Sequence, residues 1–284
     1  MINKIKNNII DFVGKEFIGY LQSLDTIIKY TKGNVNFYVL TNSINPDYDK
    51  SQVIKNLNRV FKFTNNTKID VYLTLSPYKK QFKLNPNIPL SRFDINSGFT
   101  ILNTLGLPID KKIFITRKEE FGKVIFHEII HHISEIHSTF SNDNIMRLKN
   151  HFRIKSEIDP NEAIIEFWAT IMFLKQLCQE TNKDFYELFK EELKYSLYKS
   201  TQLFELQKKN NDIWFDYTNV YCYIIFKTIM MYNLNEFQKI YTFPYNDTII
   251  TDFLIKNSKL PCIKLNPTTK RPHNSLCFMI NSDD

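Results

Sequence analysis

The residues with the most evident chemistry are His127-Glu128-Ile129-Ile130-His131, two imidazoles four positions apart with a carboxylate beside the first. On an α-helix, positions i and i+4 share one face a turn apart, so both rings can reach a single divalent cation. Glu128 then lies close enough to take a proton from a water on that cation without being a ligand itself. The cation lowers the pKa of the water toward neutrality, and the carboxylate accepts the proton as the water attacks a carbonyl carbon. The chain holds only six histidines, so the spacing is selective rather than a by-product of composition. Val124, Ile125, Phe126, Ile129 and Ile130 supply an apolar face for a buried helix, and a strand-like segment, Lys112–Thr116, precedes it.

The pattern resembles the HExxH signature of the zincin metallopeptidases. That resemblance implies one Zn²⁺ per chain and hydrolysis of peptide bonds, with His127 and His131 as ligands and Glu128 as general base and then acid. Two imidazoles and a carboxylate suit zinc, although manganese, cobalt and iron accept similar donors. A hydrolytic zinc site also needs a third protein ligand and an open position. Two segments offer that ligand.

In the first, Asn161-Glu162-Ala163-Ile164-Ile165-Glu166, two acids stand four apart at the start of a long helical stretch. This resembles the second zinc helix of the gluzincin, thermolysin-like branch. The resemblance implies that Glu162 binds the metal and that Glu166 hydrogen-bonds and orients His127. The plain alternative is an acid-rich first turn favoured by the helix dipole. The apolar neighbours Ile164, Ile165, Phe167 and Trp168 argue against a solvated face.

In the second, His127 to His137 reads His-Glu-x-x-His-x-x-Ser-x-x-His, which resembles the metzincin branch, with Met146 following as a Met-turn would. There His137 would be the third ligand, but Ser134 stands where metzincins usually carry Gly. Ten residues advance a continuous helix by about 280° beyond full turns. His137 therefore needs a sharp turn, which Gly makes more cheaply than Ser. Helix geometry favours Glu162, and His137 stands as the alternative.

Other parts are suggested more weakly. Tyr217 and Tyr221, four apart in an apolar stretch, are candidate oxyanion stabilisers or substrate contacts, with core packing as the ordinary alternative. In Asn96-Ser97-Gly98-Phe99-Thr100, Gly98 would permit close backbone approach in a strand, which by the zincin resemblance would be an edge strand that pairs with peptide substrate. His132 points about 100° away from His131 on a helix and reads as a core or surface residue. His151 and His273 have no partner spacing. Arg117-Lys118-Glu119-Glu120 reads as the polar start of the metal helix.

The elements that must position these groups fall into two parts. The first thirty residues read as a helix ended by Gly33, followed by strands at Val35–Leu40, Ile69–Leu75 and Lys112–Thr116 and a Gly-bearing strand around 95–101. From Lys118 to about Lys259 the pattern is helical, including Pro160–Glu180, Asp184–Leu206 and Trp214–Tyr232. The expected fold is α+β and zincin-like. Residues 1–117 form an N-terminal lobe with a small mixed sheet, 118–284 form a helical lobe carrying the metal helices, and an active-site cleft lies between them.

Composition bounds the alternatives. With 43% hydrophobic and 24% charged residues in 284, disorder is excluded and a core is assured. The abundance of Asn, Lys, Ile and Phe resembles that of proteins from AT-rich genomes such as those of large DNA viruses. The net charge of +7 is dispersed in separate Lys pairs, which argues against a nucleic-acid groove. No signal peptide or bilayer-length apolar run is present, and the four cysteines form no CxxC pair, so a cytoplasmic protein without membrane contact is expected. The expected partner is a peptide or protein substrate. A catalytically silent zincin-like binding or structural protein is the rival reading, and an accidental motif in a basic nucleic-acid-binding protein is the weaker one.

Overall fold

In the computed structural model, residues 2–64, 67–81, 89–101, 112–133, 140–242, 244–264, 275 and 277–280 are described. Two compact units emerge, one from residues within 1–80 and 92–134 and the other from residues within 81–91 and 135–281.

The first unit contains α1 (Ile2–Ile10), α2 (Lys15–Ser23), β1 (Thr26–Lys32), β2 (Val35–Thr41), α3 (Lys50–Phe63), β3 (Ile69–Ser76), the single turn α4 (Arg92–Ile95), β4 (Gly98–Ile101), β5 (Lys112–Arg117) and α5 (Phe121–Ile133). The strands form one mixed sheet in the order β1-β2-β3-β5-β4. β1 pairs antiparallel with β2, β2 with β3 and β3 with β5 are parallel, and β4 returns antiparallel to β5. The α+β class and the mixed sheet are as the sequence implies.

Period-two alternation decides both faces of this sheet. Val35, Phe37, Val39, Val71, Leu73, Ile113 and Ile115 face α3 and α5, meeting Val53, Leu57, Val60, Val124, Ile125 and Ile129. Tyr72, Phe114 and Leu40 point the other way, toward Ile5, Ile9, Phe17 and Leu21 of α1 and α2. On that second face an aromatic row crosses the strands. Tyr38, Tyr72, Phe114 and Phe99 stack in register at centroid spacings of 4.9, 5.2 and 4.8 Å, and Phe12 closes the row at 3.9 Å from Phe99.

Three readings of this unit change. Residues 26–32 are strand rather than helix, because Gly33 at φ +54° makes the hairpin turn instead of ending a helix. The tight turn also sets Gly33 against the Phe61 ring, 2.5 Å from where a Cβ would stand, so a side chain is excluded twice over. The sequence reading assigns no element to 50–63, where Asp49 caps α3 by accepting from the Ser51 and Gln52 amides. Finally, α5 belongs with the sheet, whereas a boundary at 117 would put it in the helical part. Its Val124, Ile125 and Ile129 bury against β2, β3 and β5.

The second unit is helical among its described residues: α6 (Asn142–Phe152), α7 (Asn161–Thr181), α8 (Phe185–Lys209), a π-helical turn at Cys222–Phe226 that runs into α9 (Lys227–Tyr232), α10 (Leu234–Ile240) and α11 (Asp247–Lys256). α7 is its axis, with Ala163, Ile164, Ile165, Phe167, Ala169, Ile171, Phe173 and Leu174 all buried. Among the described residues no helix is long and apolar enough to cross a membrane.

Candidate metal centre

His127 sits in the middle of α5 and His131 in its last turn, and the other faces of the helix are committed to packing. Their Nε2 atoms are 3.2 Å apart and their rings are inclined at 58°. Two nitrogens held about 2.0–2.1 Å from a tetrahedral zinc ion stand about 3.3–3.4 Å apart, so the pair has the separation of co-ligands. The same distance serves a ring N–H donating to its neighbour, so the donor set must be judged with its other members. His127 is buried and His131 half-buried.

Glu128 is also buried. Its Oε2 accepts a hydrogen bond from Thr100 Oγ1 at 2.8 Å, and the same hydroxyl lies 3.2 Å from the Glu128 carbonyl oxygen. The alternation of β4 explains this contact. Phe99 turns to the aromatic row, so Gly98 and Thr100 turn to α5. A Cβ on Gly98 would stand 2.8 Å from Val124 Cγ1, 3.0 Å from Ile115 Cδ1 and 3.1 Å from Glu128 Cγ. Gly98 therefore lets the edge strand close onto the helix at the level of the general-base candidate.

Arg117, Glu119 and Glu120 are buried, while Lys118 is half-buried and pairs with the exposed Asp47, so the reading of Arg117–Glu120 as a polar helix start holds only for Lys118. Arg117 donates to the carbonyls of Asn96 (3.0 Å), Tyr78 (3.2 Å) and Phe93 (2.6 Å), and burial lowers its pKa from the usual value. Glu119 accepts from the Lys80 amide at 2.7 Å, and Glu120 pairs with the Lys80 ammonium. These ties pin the start of the helix that carries the histidines.

The first turn of α7 is built differently, by residues distant in sequence. Asp159 accepts from the Asn161 amide at 3.0 Å, and its own amide donates to Asn219 Oδ1 at 2.9 Å. The Tyr245 hydroxyl donates to Asn161 Oδ1. Tyr223 donates to Glu162 Oε2 at 3.0 Å and projects from the π-helical turn, a distortion frequent at functional sites. Glu162 is half-buried on the outer turn, while Glu166, one turn on, is 1% exposed. A carboxylate so enclosed is no part of a solvated acidic face.

His127, His131 and Glu162 are one group of ligand type whose ligand atoms all lie within 4.8 Å of one another. Imidazole, imidazole and carboxylate form a donor set that fits zinc with a position left for water. His137, the alternative third ligand, and His273 lie outside the described residues, as does Ser134. Met146 is half exposed on α6.

The two tyrosines singled out by sequence take other places. Tyr221 is 1% exposed and packs against Phe152, Trp214 and Phe226 with its hydroxyl 3.4 Å from Gln207 Oε1, so it is a core residue. Tyr217 is 68% exposed and stacks edge-on with Phe215. Tyr223 is the tyrosine that reaches a site residue. Nothing in its spacing distinguishes it, because the π-turn shifts the helical phase at Cys222. Residue type alone does not single out Thr100 either, although the alternation of Gly98, Phe99 and Thr100 along β4 carries its signal. His132 is buried and His151 Nε2 lies 2.9 Å from Ser258 Oγ. No known family model, curated protein or solved structure matches the chain.

Proposed function

We propose that the protein is a zinc-dependent metallopeptidase of zincin type, nearest in pattern to the gluzincin branch, with one Zn²⁺ on His127, His131 and Glu162. The observation that carries this reading is the 3.2 Å separation of the two Nε2 atoms beside a carboxylate that is not itself in the donor set. An accidental HExxH requires neither the co-ligand spacing nor a buried Glu128 held by a hydroxyl.

When bound, the zinc ion supplies Lewis acidity and brings the pKa of a coordinated water toward neutrality. Glu128 takes the proton of the attacking water and passes it to the departing amine. Thr100 fixes one carboxylate oxygen of Glu128 and leaves the other for that proton. Glu166 orients His127, and Tyr223 holds Glu162 in the rotamer that presents its oxygen. A peptide substrate lies along β4, the strand at the end of the sheet order, by main-chain pairing.

The test is Glu128→Gln, which keeps shape and burial. Zinc content should stay at one per chain while peptide hydrolysis falls by about 10²–10⁴-fold. A variant that hydrolyses a peptide library as the wild type does would refute the general-base role. A wild type that binds zinc without hydrolysing any peptide would move the protein to the silent, peptide-binding reading.

A further inference from the structure

Three ionisable side chains of the helical unit are buried against one short stretch of main chain. Lys227, 1% exposed, donates to the Phe278 carbonyl at 2.9 Å. Lys199, equally buried, donates to the Ser275 carbonyl and to Gln202 Oε1 at 2.8 Å. Glu192, with no exposure, accepts from the Ile280 amide at 3.1 Å. The Tyr195 hydroxyl adds a fourth tie, to the Cys277 carbonyl at 3.2 Å. Charged side chains are rarely buried unless hydrogen-bonded in return, and the partners of these three include backbone groups of Ser275, Phe278 and Ile280. Backbone recognition fixes the path of a segment, and the path fixes where its side chains point.

What the path delivers is the Phe278 ring, 7% exposed, at 5.3 Å from the Tyr223 ring and tilted by 35°. Tyr223 is the residue whose hydroxyl holds Glu162. Lys227 lies only four residues beyond Tyr223 on the same distorted helix, so one element both clamps the segment and carries the tyrosine.

We propose that residues 277–280 are an internal latch that seats Tyr223, and through it Glu162, so that latch docking and metal affinity are thermodynamically coupled. The inference rests on the metal reading above, and it makes Phe278 a positioning residue for that site. Coupling is reciprocal: a latch that raises metal affinity is itself held more firmly when metal is bound.

The experiment uses the full chain with Zn²⁺ in chelator competition and Co²⁺ as a spectroscopic probe. Tyr223→Phe should weaken zinc binding by about 10–100-fold, the usual cost of losing a partner of a metal ligand. Phe278→Ala should weaken it by about tenfold and shift the Co²⁺ absorption bands in the same direction. The double variant should bind no more weakly than Tyr223→Phe alone, because Phe278 acts through that hydroxyl. Metal should also slow hydrogen exchange at the Ile280 amide in the wild type. If Phe278→Ala does not fold, Phe278→Leu removes the ring contact and keeps the apolar volume. Wild-type affinity and Co²⁺ spectrum in the folded Phe278 variant, or additive losses in the double variant, would overturn the latch. A wild type that takes up no metal overturns the metal reading and the coupling together. Normal uptake and hydrolysis with an unperturbed Phe278 variant overturn the latch alone.

Discussion

The helices α5 and α7 each carry part of the candidate centre, but they are secured by different physics. α5 is held by packing: its apolar positions bury against a sheet whose register is set by alternation, and its start is pinned by the buried Lys80–Glu120 pair. The histidines then follow from helical spacing alone. The first turn of α7 is held by directional bonds from distant residues: Asn219 on Asp159, Tyr245 on Asn161 and Tyr223 on Glu162. A packed helix presents its side chains wherever the fold forms, whereas a bonded turn presents them only while each tie is intact. Loss of function in α5 should therefore be abrupt, and in α7 graded.

The largest effect separates the two helices directly. His131→Ala should abolish stoichiometric zinc uptake, since a lone imidazole and a carboxylate make a poor site. Glu162→Ala should leave weak uptake on the imidazole pair, reduced by more than about 100-fold and so beyond the loss of an outer partner. Metal competition assays read both. His137→Ala should stay within a few-fold of wild type, and the reverse ranking of Glu162 and His137 would transfer the third-ligand role.

A smaller effect probes the bonded side through pH. Burial lifts the Asp216 carboxyl to about 6, against hydrogen bonds from Thr218 and Ser156 that favour its charged form. The folded chain thus binds this proton more tightly than the unfolded chain, where the pKa is about 3.9. The stabilisation is fully present below about pH 4 and is lost as pH rises through about 6. Denaturant midpoints across that window should show a decline of about 2–3 kcal/mol attributable to this group, at about 1.4 kcal/mol per pKa unit. Asp216→Asn should flatten the decline, and an unchanged slope would remove Asp216 as its source.

The smallest effect tests the packed side. Gly98→Ala pushes a methyl into Val124 and Glu128, and overpacking of this kind costs about 1–2 kcal/mol. Urea unfolding measures it. Stability equal to wild type would mean that β4 is not closed onto α5 as described.

This contrast also explains what could be read in the chain. Contacts between neighbours in sequence were legible: the His127–His131 spacing, the Glu162–Glu166 spacing, the alternating strands of β2, β3 and β5, and the later helices. Relations set by pairing across the chain were not. Residues 26–32 carry helix-compatible apolar spacing and become strand only because β2 is there to pair with them. Thr100 matters because Phe99 is drawn into an aromatic row assembled from four separate strands. Spacing points to Tyr217 and Tyr221 and not to Tyr223, because a π-turn breaks the helical phase there. The acids Glu119 and Glu120 resemble a solvated helix start, but Lys80, about forty positions earlier, buries with them.

The most direct measurement is a crystal structure of the zinc-reconstituted protein with diffraction recorded on either side of the zinc edge. One anomalous peak per chain is predicted, about 2.0–2.1 Å from His127 Nε2 and His131 Nε2 and about 2.0–2.2 Å from a Glu162 oxygen, with Glu128 outside the ligand set. Protein that stays metal-free after reconstitution, or a zinc ion held by other residues while the two imidazoles share only a proton, would contradict the account.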